Sequence, residues 1–163
     1  MNKVYLSLGS NRGGRTAHLK NAIDLLSEWA GEVTVVSSLY ETPPWKMEDE
    51  TNFINQALLL ETEMSAAQLI DTIILIESMM GRQRSANKYE PRKIDIDVLF
   101  FNNEIINTDE LTVPHPLLQE RKFVLVPMAE IAPEFIHPVF KKSISRLLNE
   151  CEDKSEIQKL VSK

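Results

Sequence analysis

Two aspartates stand one residue apart in an otherwise apolar run, Ile94-Asp95-Ile96-Asp97-Val98-Leu99-Phe100-Phe101. On an extended strand alternate residues share a face, so Asp95 and Asp97 point the same way, with roughly 6–7 Å of backbone between them. That separation lets both carboxylates ligate one divalent cation or bridge two. Magnesium suits such a pair, because it is held by a few carboxylates plus substrate phosphates rather than by an all-protein cage. Two acids in an apolar strand are costly unless a cation compensates them. That cation is either a metal or a neighbouring basic side chain, and the spacing alone leaves both open.

Basic side chains are close in sequence. Arg82, Arg84, Lys88, Arg92 and Lys93 stand against one acid, Glu90, although the whole chain has a formal charge of -6. Arginine's planar fork fits phosphate oxygens, and Arg92 lies just ahead of Asp95. A connection of this length, with Ser85-Ala86-Asn87 inside it, can close over a ligand. The plain alternative is a solvated charged turn. The chain has no G-x-x-x-x-G-K-[ST] segment, and Gly9-Ser10-Asn11-Arg12-Gly13-Gly14 is not a G-x-G-x-x-G fingerprint. Any phosphate must then be held by metal and side chains.

Thr42-Pro43-Pro44-Trp45 forms a rigid turn, and Phe53 and Asn55 fall on one face of a predicted strand. An aromatic face plus an amide suits a flat heteroaromatic ring, but on the pattern alone a core Phe and an edge Asn are the favoured reading. His115 sits between two prolines, with no Ser-His-Asp order around it. His18 and His137 read as surface or core, and Cys151 as inert.

The elements that must position these groups follow from periodicity. Lys3–Leu8 alternates and reads as a strand, ending at the glycine-rich turn. Leu19, Ala22, Ile23, Leu26 and Trp29 define a helix from about Thr16 to Ala30. Val33–Tyr40 and Phe53–Thr62 read as strands two and three. Ser65-Ala66-Ala67-Gln68 is a capping-box sequence opening a helix to Met80, stopped by Gly81. Ile94–Phe101 is strand four, ended by Asn102-Asn103. The expectation is an α+β fold with a ferredoxin-like β-α-β-β-α-β core, an antiparallel sheet and a C-terminal helical extension around Val124–Ile131 packed on it.

A length of 163 residues suits a single catalytic domain, 1–163, and 43% hydrophobic with 26% charged residues is a globular balance. The acidic total argues against nucleic-acid binding. One cysteine excludes an internal disulfide and fits a reducing cytoplasm. The N-terminus has no signal pattern, and the apolar runs are too short to cross a membrane. A cytoplasmic monomer acting on small molecules, with no nucleic-acid or membrane partner, is expected.

Together these segments resemble the 6-hydroxymethyl-7,8-dihydropterin pyrophosphokinases of folate biosynthesis. The resemblance runs from Ser7-Leu8-Gly9-Ser10-Asn11 to Glu130-Ile131-Ala132-Pro133 and is most specific at Pro91-Arg92-Lys93-Ile94-Asp95-Ile96-Asp97. Thr42-Pro43-Pro44, Leu111-Thr112-Val113-Pro114-His115-Pro116 and Arg121-Lys122-Phe123 support it. It implies attack of the pterin hydroxymethyl oxygen on the β-phosphorus of ATP, releasing AMP. By the same resemblance, Asp95 and Asp97 would hold two Mg2+ ions, with Arg82 and Arg92 approaching the phosphates. Glu77, Val98, Thr112, His115 and Arg121 would meet ATP. Phe53 and Phe123 would sandwich the pterin, with Asn55, Thr42, Pro43 and Trp45 around it. Glu90 stands where the family usually has a small residue, and Tyr89 where several members have tryptophan. Two rival readings share features with this one. A different magnesium-dependent D-x-D transferase would use the same metal pair, and a ferredoxin-like binding module would bind ligand without turnover.

Overall fold

The computed structural model describes residues 1–11, 14–42, 52–81 and 94–160. The elements run β1 (Asn2–Ser10), α1 (Arg15–Trp29), β2 (Glu32–Val36), β3 (Tyr40–Thr42), β4 (Phe53–Thr62), α2 (Ala66–Met79) and β5 (Asp95–Phe101). A small hairpin of β6 (Ile106–Asn107) and β7 (Thr112–Val113) follows, then a 3-10 turn (Leu118–Glu120). Helices α3 (Lys122–Ile131) and α4 (Ile144–Glu150) and a last short strand, β8 (Gln158–Lys159), complete the chain.

One antiparallel sheet carries the fold, in the order β5-β1-β4-β3-β8, with β2 also paired to β4. The four expected strands thus lie fourth, first, third, second, as an antiparallel ferredoxin-like core requires. Alternation sorts the side chains onto two faces. Val4, Leu6, Leu8, Ile54, Leu58, Leu60, Ile96 and Val98 join Leu19, Leu26, Leu69 and Ile76 in a core beneath α1 and α2. On the other face Leu99, Phe100 and Tyr5 pack with Val124, Leu125, Met128, Ile144 and Leu147 of α3 and α4. The C-terminal helices therefore cover the second face of the same sheet, as expected.

Local chemistry sets the ends of the elements. Ser65 caps α2 with its hydroxyl on the Gln68 N–H, and the Gln68 side chain returns to the Ser65 N–H. Gly81 follows in the left-handed region at φ 127°. At the end of β5, Asn102 exchanges hydrogen bonds with the Lys3 backbone and donates its Nδ2 to Asn2 Oδ1, which fixes the turn.

Three departures from the sequence reading have physical causes. Strand β1 runs two residues further than expected, to Ser10, because Gly9 and Ser10 still pair with Asn55 and Ile54. The second expected strand divides into β2 and β3 at Ser37, whose hydroxyl accepts from the Ala57 N–H at 2.9 Å while Gln56 Nε2 bonds its carbonyl. A side chain there takes part of the ladder's work. In β5 the register shifts so that Tyr5 faces Phe100 and Leu6 faces Val98. Leu99 is the extra residue of a bulge, and Leu99 and Phe100 both enter the α3/α4 core instead of alternating.

Candidate active site

The pairing register gathers the site at the end of the sheet where β4 and β5 begin and β1 and β3 finish. Asp95 lies opposite Gly9, Gly9 opposite Asn55, and Asn55 opposite Tyr40. One step outward, Phe53 faces Thr42, and one step inward Asp97 faces Ser7. Residues opposite one another share a face, so all of these belong to the α3 side of the sheet. Asp97 is exposed and Asp95 half-buried, and the residues between and after them, Ile96 and Val98, point into the opposite core.

Strand β5 is an edge strand, and two neighbours grip its outer side. Glu77 of α2 is buried, and its Oε2 accepts the Ile96 N–H at 3.1 Å, between the two aspartates. The backbone of His115 donates to the Leu99 carbonyl at 3.0 Å. Val98 is buried in the α1/α2 core, which leaves only its main chain for a ligand. Thr112 is exposed on β7, beside Asn107.

His115 is held neutral. Burial pushes its pKa below the usual imidazole value and the Arg121 charge adds to that, while Asp97 acts in the opposite direction. Its Nδ1 accepts from the Leu117 N–H at 3.2 Å, which assigns the ring proton to Nε2. Asp97, His115 and Arg121 thus share one electrostatic neighbourhood. Arg121 immediately precedes α3 and sets its guanidinium 5.7 Å from the Phe123 ring centre, a half-buried cation–π arrangement.

On the other flank, Asn55 Nδ2 donates to Thr42 Oγ1 at 2.8 Å, and both residues are buried. The Asn55 carbonyl remains as an acceptor toward the α3 side. Helix α3 packs across β4 and β3 and presents Phe123 from its first turn. Arg15 holds the rim, reaching the Asn52 carbonyl at 2.7 Å and Glu41 at 3.3 Å. Tyr40 donates to Glu130 at 2.5 Å, and Ser38 donates to the same carboxylate through N–H and hydroxyl, which ties α3 to β3.

The donor chemistry fits magnesium. Among the described residues no three His, Cys, Asp or Glu side chains gather for a metal. Two carboxylates on one face, without a third ligand, suit an ion that completes its shell with water and phosphate oxygens. Of the residues singled out in the sequence, Asp95, Asp97 and Val98 lie on β5, with Glu77 and His115 bonded to its outer side, Arg121 beside His115 and Thr112 on β7. Thr42, Phe53 and Asn55 share the α3 face of β3 and β4, and Phe123, in the first turn of α3, packs against the α3/α4 core. Arg82, Arg92, Pro43 and Trp45, with the rest of the basic connection, lie outside the described residues.

Two residues here, both within the Ser7–Asn11 segment, were given no site role in the sequence. Gly9 has its signal: an isolated glycine within a strand marks a close approach, here by Asn55. Asn11 has none. It is 3% exposed, just beyond β1, and its Nδ2 has no hydrogen-bond partner. A buried donor left unpaired is unfavourable.

The model of the family 7,8-dihydro-6-hydroxymethylpterin-pyrophosphokinase (HPPK) matches residues 5–133. A 2-amino-4-hydroxy-6-hydroxymethyldihydropteridine pyrophosphokinase of Aquifex aeolicus is 40% identical over 144 residues, covering 88% of this chain and 89% of that protein. The enzyme of the same name from Bacillus subtilis is 43% identical over 134 residues, covering 82% and 80%. Among solved structures, wild-type HPPK-DHPS of Plasmodium falciparum with SDX-DHP superposes with a TM-score of 0.72 at 20% identity, covering 92% of this chain and 43% of that longer one. That likeness supports the α+β fold, and no helix among the described residues is long and apolar enough to cross a membrane. With a family model spanning most of its length and relatives of that name at 40% identity or more, the chain belongs to the 6-hydroxymethyl-7,8-dihydropterin pyrophosphokinase family.

Proposed function

We propose that Asp95 and Asp97 are the metal-holding pair of a transfer of pyrophosphate from ATP to 6-hydroxymethyl-7,8-dihydropterin, a step of folate synthesis. The observation that carries this reading is the row Asp95, Gly9, Asn55 across three strands, which sets carboxylates and an amide-lined recess on one face of one sheet end. Two magnesium ions held there would neutralise the triphosphate and shield it from the aspartates.

The chain's own groups do the positioning. Asn55, with Thr42 fixing its amide, accepts from the donor edge of the pterin, and Phe53 and Phe123 close on the ring faces. His115, neutral with its proton on Nε2, donates to a phosphate oxygen, and Arg121 adds charge beside it. Thr112 and the Val98 main chain take the nucleotide side. Glu77 keeps β5 in register, so the two carboxylates stay parallel. Arg82, Arg92, Pro43 and Trp45 complete this reading by family resemblance. The pterin oxygen then forms its bond to the β-phosphorus as the bond from that phosphorus to the α–β bridging oxygen breaks. AMP departs with the bridging oxygen, and the hydroxyl proton is released. Positioning and charge neutralisation account for most catalysis of this kind. Both flanks of the site come from one copy of the chain, which supports a monomer whose partners are its small substrates.

Phosphorus NMR of the purified protein with ATP, magnesium and the pterin tests the reading. AMP and a pterin diphosphate should appear together. ADP would mark ordinary kinase chemistry, and unchanged ATP with folded protein and intact substrates would favour a binding module.

A further inference from the structure

The C-terminal segment lies beyond the residues matched by the family model, yet it touches both flanks of the pterin side. Its Asp153 reaches the start of α3, where Oδ2 accepts the Lys122 N–H at 3.1 Å across a separation of 31 residues. Lys122 is the first residue of α3, and the preceding Arg121 supplies no side-chain cap. Asp153 thus does from a distance what a local Asp or Ser does at most helix starts, and its charge suits the positive end of the helix dipole.

The carboxylate is itself fixed. Oδ1 accepts the Ser155 N–H at 2.9 Å and the Ser155 hydroxyl at 2.5 Å, and Lys122 Nζ donates to the Ser155 carbonyl at 3.2 Å. A few residues on, Gln158 and Lys159 pair with Glu41 and Tyr40, and the Leu160 N–H donates to the Leu39 carbonyl at 2.8 Å. Leu160 packs into the α1/α2 core. One short segment therefore joins the first turn of α3, which carries Phe123, to β3, which carries Thr42. Glu156 and Gln158 line an open cleft of about 200 Å³ with Glu41, Thr42 and Asn52.

We propose that residues 153–160 act as a tie that sets the distance between the Phe123 wall and the Thr42–Asn55 wall, with Asp153 a positioning residue for pterin binding. This rests on the reading of Phe123 as a pterin contact. The tie's contacts among the described residues run to α3, β3 and the α1/α2 core, so its loss should alter pterin capture more than the chemical step.

Steady-state kinetics of the full chain, with each substrate varied in turn, test it. Asp153→Ala should raise the pterin KM about five-fold, the ratio that corresponds to about 1 kcal/mol, while kcat stays within about two-fold. Phe123→Ala should raise the pterin KM on its own, and adding Asp153→Ala to it should produce little further rise, because the wall being positioned is gone. If Phe123→Ala raises the KM and Asp153→Ala leaves it unchanged, the tie is overturned and the pterin wall stands. An undiminished Asp153→Ala effect in the Phe123→Ala background also overturns it. If Phe123→Ala leaves the pterin KM unchanged, the wall assignment fails first and the tie fails with it. Should Asp153→Ala not fold, Ser155→Ala removes only the hydroxyl contact. It should give a smaller rise in the same parameter, and no rise would overturn the tie.

Discussion

Gly9 and Asn55 face each other across β1 and β4, and a side-chain carbon placed on Gly9 would lie 2.8 Å from Asn55 Oδ1. The missing side chain at Gly9 is thus the space that the Asn55 amide occupies. Asn55 has no easy retreat, since it is buried and donates to Thr42. Because Gly9 also pairs with Asp95, the same backbone position separates the amide recess from the carboxylates.

Gly9→Ala should therefore turn the Asn55 amide out of place. We expect a loss of about 1–3 kcal/mol in stability, as for other overpacked sites. The pterin KM should rise more than the ATP KM. Thermal melts and kinetics with each substrate varied would show both, and equal pterin KM in variant and parent would show that Asn55 does not read the ring.

Asp97→Ala removes an exposed carboxylate and no core volume. Its melting temperature should stay within about 2 °C of the parent, because surface changes away from packed groups are usually worth less than about 0.5 kcal/mol. Turnover should fall below detection in the phosphorus NMR assay. A variant that turns over at the parental rate would remove Asp97 from the metal site.

Asn11 gives a prediction about the loaded protein rather than the free one. Its buried Nδ2 has no partner, so Asn11→Ala should cost the free protein less than a buried, bonded Asn would. The rise in melting temperature on adding saturating ATP, magnesium and pterin should shrink in the variant, because binding stabilises only through contacts made to the folded state. An unchanged ligand-induced rise would assign the amide no part in binding.

His137 should make stability depend on pH. It is 2% exposed, and its Nδ1 accepts from the N–H groups of Val139 and Phe140, both at 3.1 Å. Its ring stands edge-on to Phe100 at 5.5 Å. Protonating Nδ1 would set a donor against two donors, and burial holds the pKa below the ordinary 6.5. A depressed histidine pKa means the unfolded chain binds the proton more readily. Stability from this group is complete above pH 6.5 and declines as pH falls toward the folded-state pKa. His115 is depressed too and acts in the same window. His137→Asn keeps an acceptor but does not titrate, so its melting temperature should fall less than the parent's between pH 7.5 and 5.5. Parallel curves would assign the acid sensitivity elsewhere.

Much of the fold was legible because its signals are local. The Ser65 capping box, the alternation of β1 and the face shared by Asp95 and Asp97 depend on residues a few positions apart. The bulge at Leu99 was not, since it is set by pairing with Tyr5 nearly a hundred residues earlier. Nor was β8, whose Gln158 and Lys159 carry no strand pattern and are extended only because β3 offers them a free edge. The site followed the same rule. Types and spacing exposed the two carboxylates and the Phe53/Asn55 face, while Glu77's hold on the Ile96 N–H and the orphan amide of Asn11 arise only from folding.

Two edges of the sheet also bear on how the protein behaves when crowded with copies of itself. An open strand edge offers unpaired backbone groups on which another chain can add, the first step of many aggregates. At one edge β8 covers β3, and at the other Glu77 and His115 engage the outer side of β5. Proteolytic clipping of the tail would therefore bare a strand edge in an otherwise folded molecule and create a seed for association.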